Sequence, residues 1–280
     1  MIVDSHHHFW DPARADYPWM REEQAPIRRR FGPDELRPLL SETGVDATIL
    51  VQTRASLEET REFLAVAAGT PFVAGVVGWA DLAGGEVAGT LKELRAAPGG
   101  EKLVGIRHQV HDEEDAGWLL RPEVQRGLAE VGEAGLAYDL LVRARELPAA
   151  LATARRFPEM RFVIDHLAKP PIASGEHEEW ALAMAPCSEA ENVYCKLSGM
   201  VTEADWAGWT PDELRPYVES VLGRFGEDRC MFGSDWPVCL LAASYSEVFE
   251  ALRFVLAGQR AATKEKVFGK VAAEFYRIAT

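Results

Sequence analysis

The stretch Ile2-Val3-Asp4-Ser5-His6-His7-His8 sets the reading of the whole chain: a short apolar start that runs straight into ionisable residues. In an extended strand, alternate side chains face the same way. Asp4, His6 and His8 should then share one face, with His7 on the other. Seven further runs rich in Val, Ile, Leu and Phe follow at 47–53, 72–78, 103–109, 137–142, 161–167, 193–199 and 229–235. Runs of this length and composition are those of buried parallel strands. Most segments between them carry helical periodicity. Within 56–68, Leu57, Phe63, Leu64 and Ala67 oppose Glu58, Glu59 and Arg61. Within 212–225, Leu214, Val218, Val221, Leu222 and Phe225 share a face. Each of these two follows a Ser or Thr-Pro start signal. Strand then helix, eight times, predicts an α/β fold of the (β/α)8 TIM-barrel type. The 280 residues suit one such barrel, so residues 1–280 are expected to form a single domain. A doubly wound open sheet would call for a GxGxxG after the first strand, and none is there.

Three connections lack helical periodicity: 11–31, 170–178 and 200–210. All follow strands and so belong to the C-terminal face, where barrel enzymes build their sites.

The bulk chemistry excludes several classes. A net charge of −14 repels nucleic acid and anionic membrane, and Arg28, Arg29 and Arg30 form only one short basic run. Cys187, Cys195, Cys230 and Cys239 include no CxxC pair, which reads as buried thiols in a reducing compartment. No apolar run approaches the roughly 18 residues of a membrane span. No signal-peptide pattern opens the sequence, and the expectation is a cytoplasmic protein. A GxSxG nucleophile elbow is absent, which removes the serine-hydrolase reading.

Polar residues ending apolar strands carry the chemistry, because burying such groups alone is costly. His6 and His8 end strand one, His166 ends strand six in Val-Ile-Asp-His, and Asp235 ends strand eight in Phe-Gly-Ser-Asp. Two histidines at i and i+2 can converge on one metal ion or one substrate oxygen.

This constellation resembles the amidohydrolase superfamily. The ordered segments Asp-Ser-His-His-His-Phe-Trp-Asp, Val-Gln-Thr, Gly-Ile-Arg-His, Tyr-Asp-Leu-Leu-Val, Asp-His-Leu-Ala-Lys-Pro, Lys-Leu-Ser-Gly-Met and Phe-Gly-Ser-Asp-Trp-Pro-Val span residues 4 to 238. They are similar to the amidohydrolase 2 branch that contains sugar-lactone hydrolases of the L-fuconolactonase and L-rhamnonolactonase type. The resemblance implies catalytic roles for His6, His8, His166 and Asp235. Metal-dependent members usually add a His at strand five and, in binuclear sites, a Lys or Glu at strand four. Here strand five offers Tyr138, Asp139 and Leu140, and strand four Arg107 and His108, while Lys196 lies on strand seven. A tight binuclear site is therefore not expected. A single zinc on His6, His8 and Asp235 and a metal-free site are both compatible with these residues.

Opening a lactone requires water attack on an ester carbonyl, stabilisation of the oxyanion and a proton for the leaving alkoxide. Asp235 is the candidate general base, with the histidines polarising the carbonyl directly or through a metal. A sugar lactone also needs hydrogen-bonding groups and aromatic faces. Trp10, Gln52, Arg107, His108, Asp139 and Trp236 stand at strand ends and are the expected substrate contacts. The expected partner is a small-molecule sugar lactone, and a homodimer is compatible with the sequence. Two other readings stay open: a zinc-dependent decarboxylase or hydratase of an aromatic or keto acid, and a non-catalytic sugar-acid binding protein on the same barrel.

Overall fold

A computed structural model describes residues 1–278. Eight parallel strands run in sequence order: β1 (Val3–His7), β2 (Ala47–Val51), β3 (Val73–Gly78), β4 (Leu103–His108), β5 (Ala137–Leu140), β6 (Phe162–Ile164), β7 (Val193–Leu197) and β8 (Cys230–Phe232). Each lies inside the run expected from its hydrophobicity. Every strand is followed by a helix: α1 (Pro33–Thr43), α2 (Leu57–Ala68), α3 (Val87–Ala96), α4 (Pro122–Glu133), α5 (Leu147–Arg156), α6 (Glu178–Ser188), α7 (Pro211–Phe225) and α8 (Tyr245–Val255). Two short helices, α9 (Ala261–Glu265) and α10 (Val271–Tyr276), complete the order. This is the expected (β/α)8 barrel.

Local sequence explains the helix starts. The Ser56 hydroxyl accepts the Glu59 N–H at 3.2 Å, and Thr210 with Glu213 closes a capping box ahead of Pro211. The barrel closes between the end of β1 and residues just past β8: the His8 N–H donates to the Trp236 carbonyl at 2.7 Å and the Asp235 N–H to the His6 carbonyl at 2.8 Å. At the opposite end, Val271, Ala272, Phe275 and Tyr276 of α10 pack against the inward residues Val3, Ile49, Val77, Ala137, Val163 and Met231. The four cysteines are buried free thiols. Among the described residues no helix is long and apolar enough to cross a membrane.

One expectation about β1 needs correcting. Asp4 pairs with Thr48 but His7 with Leu50, so β1 carries one extra residue, a bulge. The bulge resets the alternation. Asp4 turns toward α8, accepting the Tyr245 hydroxyl at 3.1 Å and the Ser234 hydroxyl at 2.6 Å. It does not share the face of His6 and His8. His7 faces outward as expected, 2.8 Å from the Thr48 hydroxyl.

Candidate active site

His6, His8, His166 and Asp235 meet at the C-terminal end of the barrel. His6 Nε2 lies 3.2 Å from His8 Nε2. Asp235 Oδ1 lies 3.3 Å from His8 Nε2, 3.8 Å from His6 Nε2 and 3.8 Å from His166 Nε2. His8 Nδ1 is 2.7 Å from the Val51 carbonyl. A carbonyl only accepts, so Nδ1 carries the proton and a neutral His8 presents a lone pair at Nε2. His166 Nδ1 sits 2.9 Å from the Ser198 hydroxyl.

His166 reaches the site by an unusual backbone. His166, Leu167, Ala168 and Lys169 all have φ between 52° and 57°. Each non-glycine residue in that left-handed region costs about 1 kcal/mol or more. The turn is held by Trp180 Nε1 donating to the Leu167 carbonyl at 2.7 Å and by the Lys169–Glu203 ion pair at 2.5 Å. Its consequence is geometric. On a regular strand Asp165 and His166 would face opposite sides, whereas here both address the barrel axis. Gly199 makes room: at φ +60, a Cβ there would sit 2.5 Å from His166 Nδ1.

Beneath the histidines lies a charged layer. Asp139, Asp165 and Lys196 each stand two residues beyond an inward apolar residue (Ala137, Val163 and Tyr194), about 7 Å along the strand. Lys196 Nζ is 2.5 Å from Asp139 Oδ2, 3.0 Å from Asp165 Oδ1 and 3.0 Å from His6 Nδ1. Arg107 Nη1 donates to Asp165 Oδ2 at 3.0 Å, and Gln52 Oε1 accepts from Arg107 Nη2 at 3.2 Å. The Tyr276 hydroxyl donates to Asp139 Oδ2 at 2.7 Å, linking this layer to α10.

Burial sets most protonation states. It pushes His166 down to about 4, against the pull of Asp235, and it holds His6 well below the usual histidine range with Lys196 adding to the effect. For Asp235 burial acts upward, but His166 and His8 outweigh it and hold the carboxyl below its ordinary value. At neutral pH the site therefore holds an ionised Asp235 beside neutral His6 and His166.

Above them opens a cavity of about 660 Å³. His8, Arg107, His166 and Asp235 contribute to its wall, with Trp19, Arg21 and Gln24 from the loop after β1 and Thr202, Glu203 and Trp206 from the loop after β7. Of the residues expected to meet substrate, Arg107 is in that wall. The others stand behind it. Gln52 braces Arg107, and Asp139 is fully buried on Lys196. The Trp10 indole donates to the Ile27 carbonyl at 3.1 Å, and Trp236 packs on Phe9 and Phe31. His108 turns away, stacked on Trp118 and 2.8 Å from Glu113. Asp165 and Lys196 are not among the residues expected from the sequence to form the site. A usable signal was present: two carboxylates and one ammonium at matching positions of neighbouring apolar strands, which must neutralise one another if buried.

The donor set suits a single divalent ion. Asp235 Oδ1 is buried and has no hydrogen-bond partner among the described residues. Donor atoms of His6, His8 and Asp235 all lie within 4.8 Å of one another. Their separations of 3.2, 3.3 and 3.8 Å compare with about 3.3 Å for ligands about 2 Å from a tetrahedral ion.

A (β/α)8 barrel with an HxH pair on its first strand, a histidine after the sixth and an aspartate after the eighth defines an amidohydrolase-type site. The chain belongs to the Amidohydrolase family, whose pattern matches residues 3–278. It is 43% identical to the L-fucono-1,5-lactonase of Burkholderia ambifaria, over 99% of this chain and 95% of that protein. With the L-fucono-1,5-lactonase of Burkholderia multivorans it shares 38% identity over 99% of this chain and 96% of the relative. Its structure is similar to a crystal structure of a Burkholderia multivorans amidohydrolase with bound zinc, with a TM-score of 0.94, 37% identity and full coverage of both chains.

Proposed function

We propose that this protein hydrolyses the lactone of a six-carbon sugar acid to the aldonic acid. The observation that carries the reading is the unpartnered, ionised Oδ1 of Asp235, held among three imidazole nitrogens in the wall of a large cavity. The family relationship and the two lactonase relatives support the substrate class.

Asp235 Oδ1 takes a proton from a water molecule as its oxygen attacks the lactone carbonyl carbon. Charge builds on the carbonyl oxygen, and the Arg107 guanidinium in the cavity wall stabilises it. The ring C–O bond then breaks, and the carboxylic acid of Asp235 returns the proton to the leaving alkoxide. Water and lactone are consumed, and one hydroxy acid is formed. A zinc ion held by His6, His8 and Asp235 would supply Lewis acidity to the carbonyl or to the water. An ester is labile enough for the protein groups to act alone, so the ion assists but is not required.

Gln24, Thr53 and Gln109 offer hydrogen bonds to ring hydroxyls, while Trp19 and Trp206 offer apolar faces. The test is kcat/KM by acid release across L-fucono-, L-rhamnono-, L-galactono- and D-glucono-lactones and unsubstituted butyro- and valerolactones. The 6-deoxy L-sugar lactones should lead. Each hydroxyl missing from the ligand should cost about 1–3 kcal/mol, because its partner stays unpaired. Equal rates on the unsubstituted rings would remove the sugar assignment.

A further inference from the structure

The proposed hydrolysis leaves one ion pair in the cavity wall without a task. The left-handed turn runs from His166 to Lys169, and the Lys169 N–H donates to the His166 carbonyl three residues back at 2.7 Å. At that hydrogen-bond spacing, side chains three apart stack over one another. Lys169 therefore comes to the side of His166, and both stand in the cavity wall, while Leu167 and Ala168 between them are buried. Lys169 Nζ meets Glu203 Oε1 at 2.5 Å, and Glu203 stands in the same wall, on the loop after β7. We infer that Lys169 and Glu203 read two neighbouring hydroxyls of the lactone, one on the carbon next to the carbonyl and one on the carbon beyond. The inference rests on the lactonase reading and names the chemistry that the site selects.

The ion pair is not saturated. An ammonium has three N–H donors, and among the described residues Lys169 Nζ donates to Glu203 Oε1 alone. Two N–H groups and the second carboxylate oxygen are left beside the cavity. A hydroxyl both donates and accepts. Hydroxyls on adjacent ring carbons lie within hydrogen-bond distance of each other, as Lys169 Nζ and Glu203 Oε1 do. One hydroxyl accepts from the ammonium while its neighbour donates to the carboxylate, and both bonds are charge-assisted. Lys169 is the member nearer the reacting centre. The Asp235 carboxyl, governed first by burial and then by His166 and His8, also feels the Lys169 charge. The hydroxyl on Lys169 is thus the one next to the carbonyl, and Glu203 takes the next.

A merely structural tie would be redundant here. The Ala173 N–H already joins the two loops by donating to the Glu203 carbonyl at 2.9 Å, and the Trp180 indole holds the Leu167 carbonyl at 2.7 Å. A pair with side chains 17% and 18% exposed, on long flexible stems, adds little to stability. Every fully hydroxylated aldonolactone presents this pair of hydroxyls, so Lys169 and Glu203 select the class, and the rest of the wall selects the sugar.

The test compares kcat/KM for L-fucono-1,5-lactone and its 2-deoxy and 3-deoxy analogues in the wild type, Lys169→Met and Glu203→Gln. The wild type should prefer the parent to either analogue by at least about tenfold. Lys169→Met should cut the preference over the 2-deoxy analogue to about threefold or less, and Glu203→Gln the preference over the 3-deoxy analogue. The double variant leaves no lone ion in the wall, guards against a folding defect in either single one, and should show neither preference. A structural strut would lower all three rates alike and keep the ratios, and that result overturns the inference. Equal wild-type rates on the parent and the 2-deoxy analogue also overturn it. Calorimetric titration with L-fuconate and 2-deoxy-L-fuconate separates this site from the lactonase reading. Where no lactone is hydrolysed, the lactonase reading falls and the acids decide. At least about tenfold tighter binding of L-fuconate, lost in Lys169→Met, upholds the site; equal affinities or no binding overturn it.

Discussion

The backbone N–H of Asp235 donates to the carbonyl of His6 at 2.8 Å, so the base and the histidine pair are tied together by the hydrogen bonds that close the barrel. The site sits on the seam between the first and last strands. Its geometry is therefore set by main-chain pairing as well as by side-chain packing.

Asp235→Asn should lower kcat by roughly 10² or more, the loss expected for a positioned base. The fold should survive, because Asp235 has φ +58 and Asn is among the few residues that adopt this conformation readily. Circular dichroism and kcat are the measurements. Near wild-type kcat would reassign the base to His166.

Gly199→Ala should damage activity through His166 alone. The added methyl would meet the imidazole at 2.5 Å from Nδ1, at a position whose positive φ already disfavours Ala. We expect kcat to fall at least about tenfold, with a stability loss of about 1–3 kcal/mol by urea titration. A variant with unchanged kcat would show that the His166 ring need not be held against Ser198.

Turnover should survive chelation at least in part, since Arg107 stands in the cavity wall with Asp235 and supplies positive charge without an ion. The check is kcat on the best lactone before and after dialysis against chelator, with zinc quantified in both samples. Complete loss restored only by zinc would make the ion obligatory.

Acid stability should depend on Glu227. Hydrogen bonds from Lys266, Thr263 and Arg260 hold its carboxyl at about 2, below the unfolded value of about 4.3. A depressed acid stabilises the folded state above its unfolded pKa, and the contribution is lost as pH falls toward 2. Glu227→Gln should lower Tm at pH 7, and the gap from wild type should narrow below about pH 4. A gap that is constant from pH 7 to 3 would assign the effect to something other than this charge.

The sequence made the barrel legible because buried parallel strands are continuous apolar runs, and their ends pointed to His6, His8, His166 and Asp235. It was less informative about which way each side chain turns. The bulge in β1 moved Asp4 off the face that simple alternation assigns it, and the left-handed turn brought His166 inward beside Asp165. Neither irregularity is marked by Gly or Pro within those residues. The aromatic and polar residues at strand ends misled for a related reason. Trp10 and Trp236 are covered by the long loop after β1, which supplies Trp19, Arg21 and Gln24 to the cavity instead, and Gln52 is buried on Arg107 and Gln109.

The run of four left-handed residues also bears on how such a site can change by mutation. Asp165 and His166 come from consecutive codons, the first placed by the strand and the second by the strained turn, so insertions or deletions there disturb two functions at once. The loops carrying Trp19, Arg21, Thr202 and Trp206 lie under no such constraint. Selection for a new lactone should therefore accumulate changes in those loops while residues 165–169 stay fixed, and a directed library gains most by diversifying the former and sparing the latter.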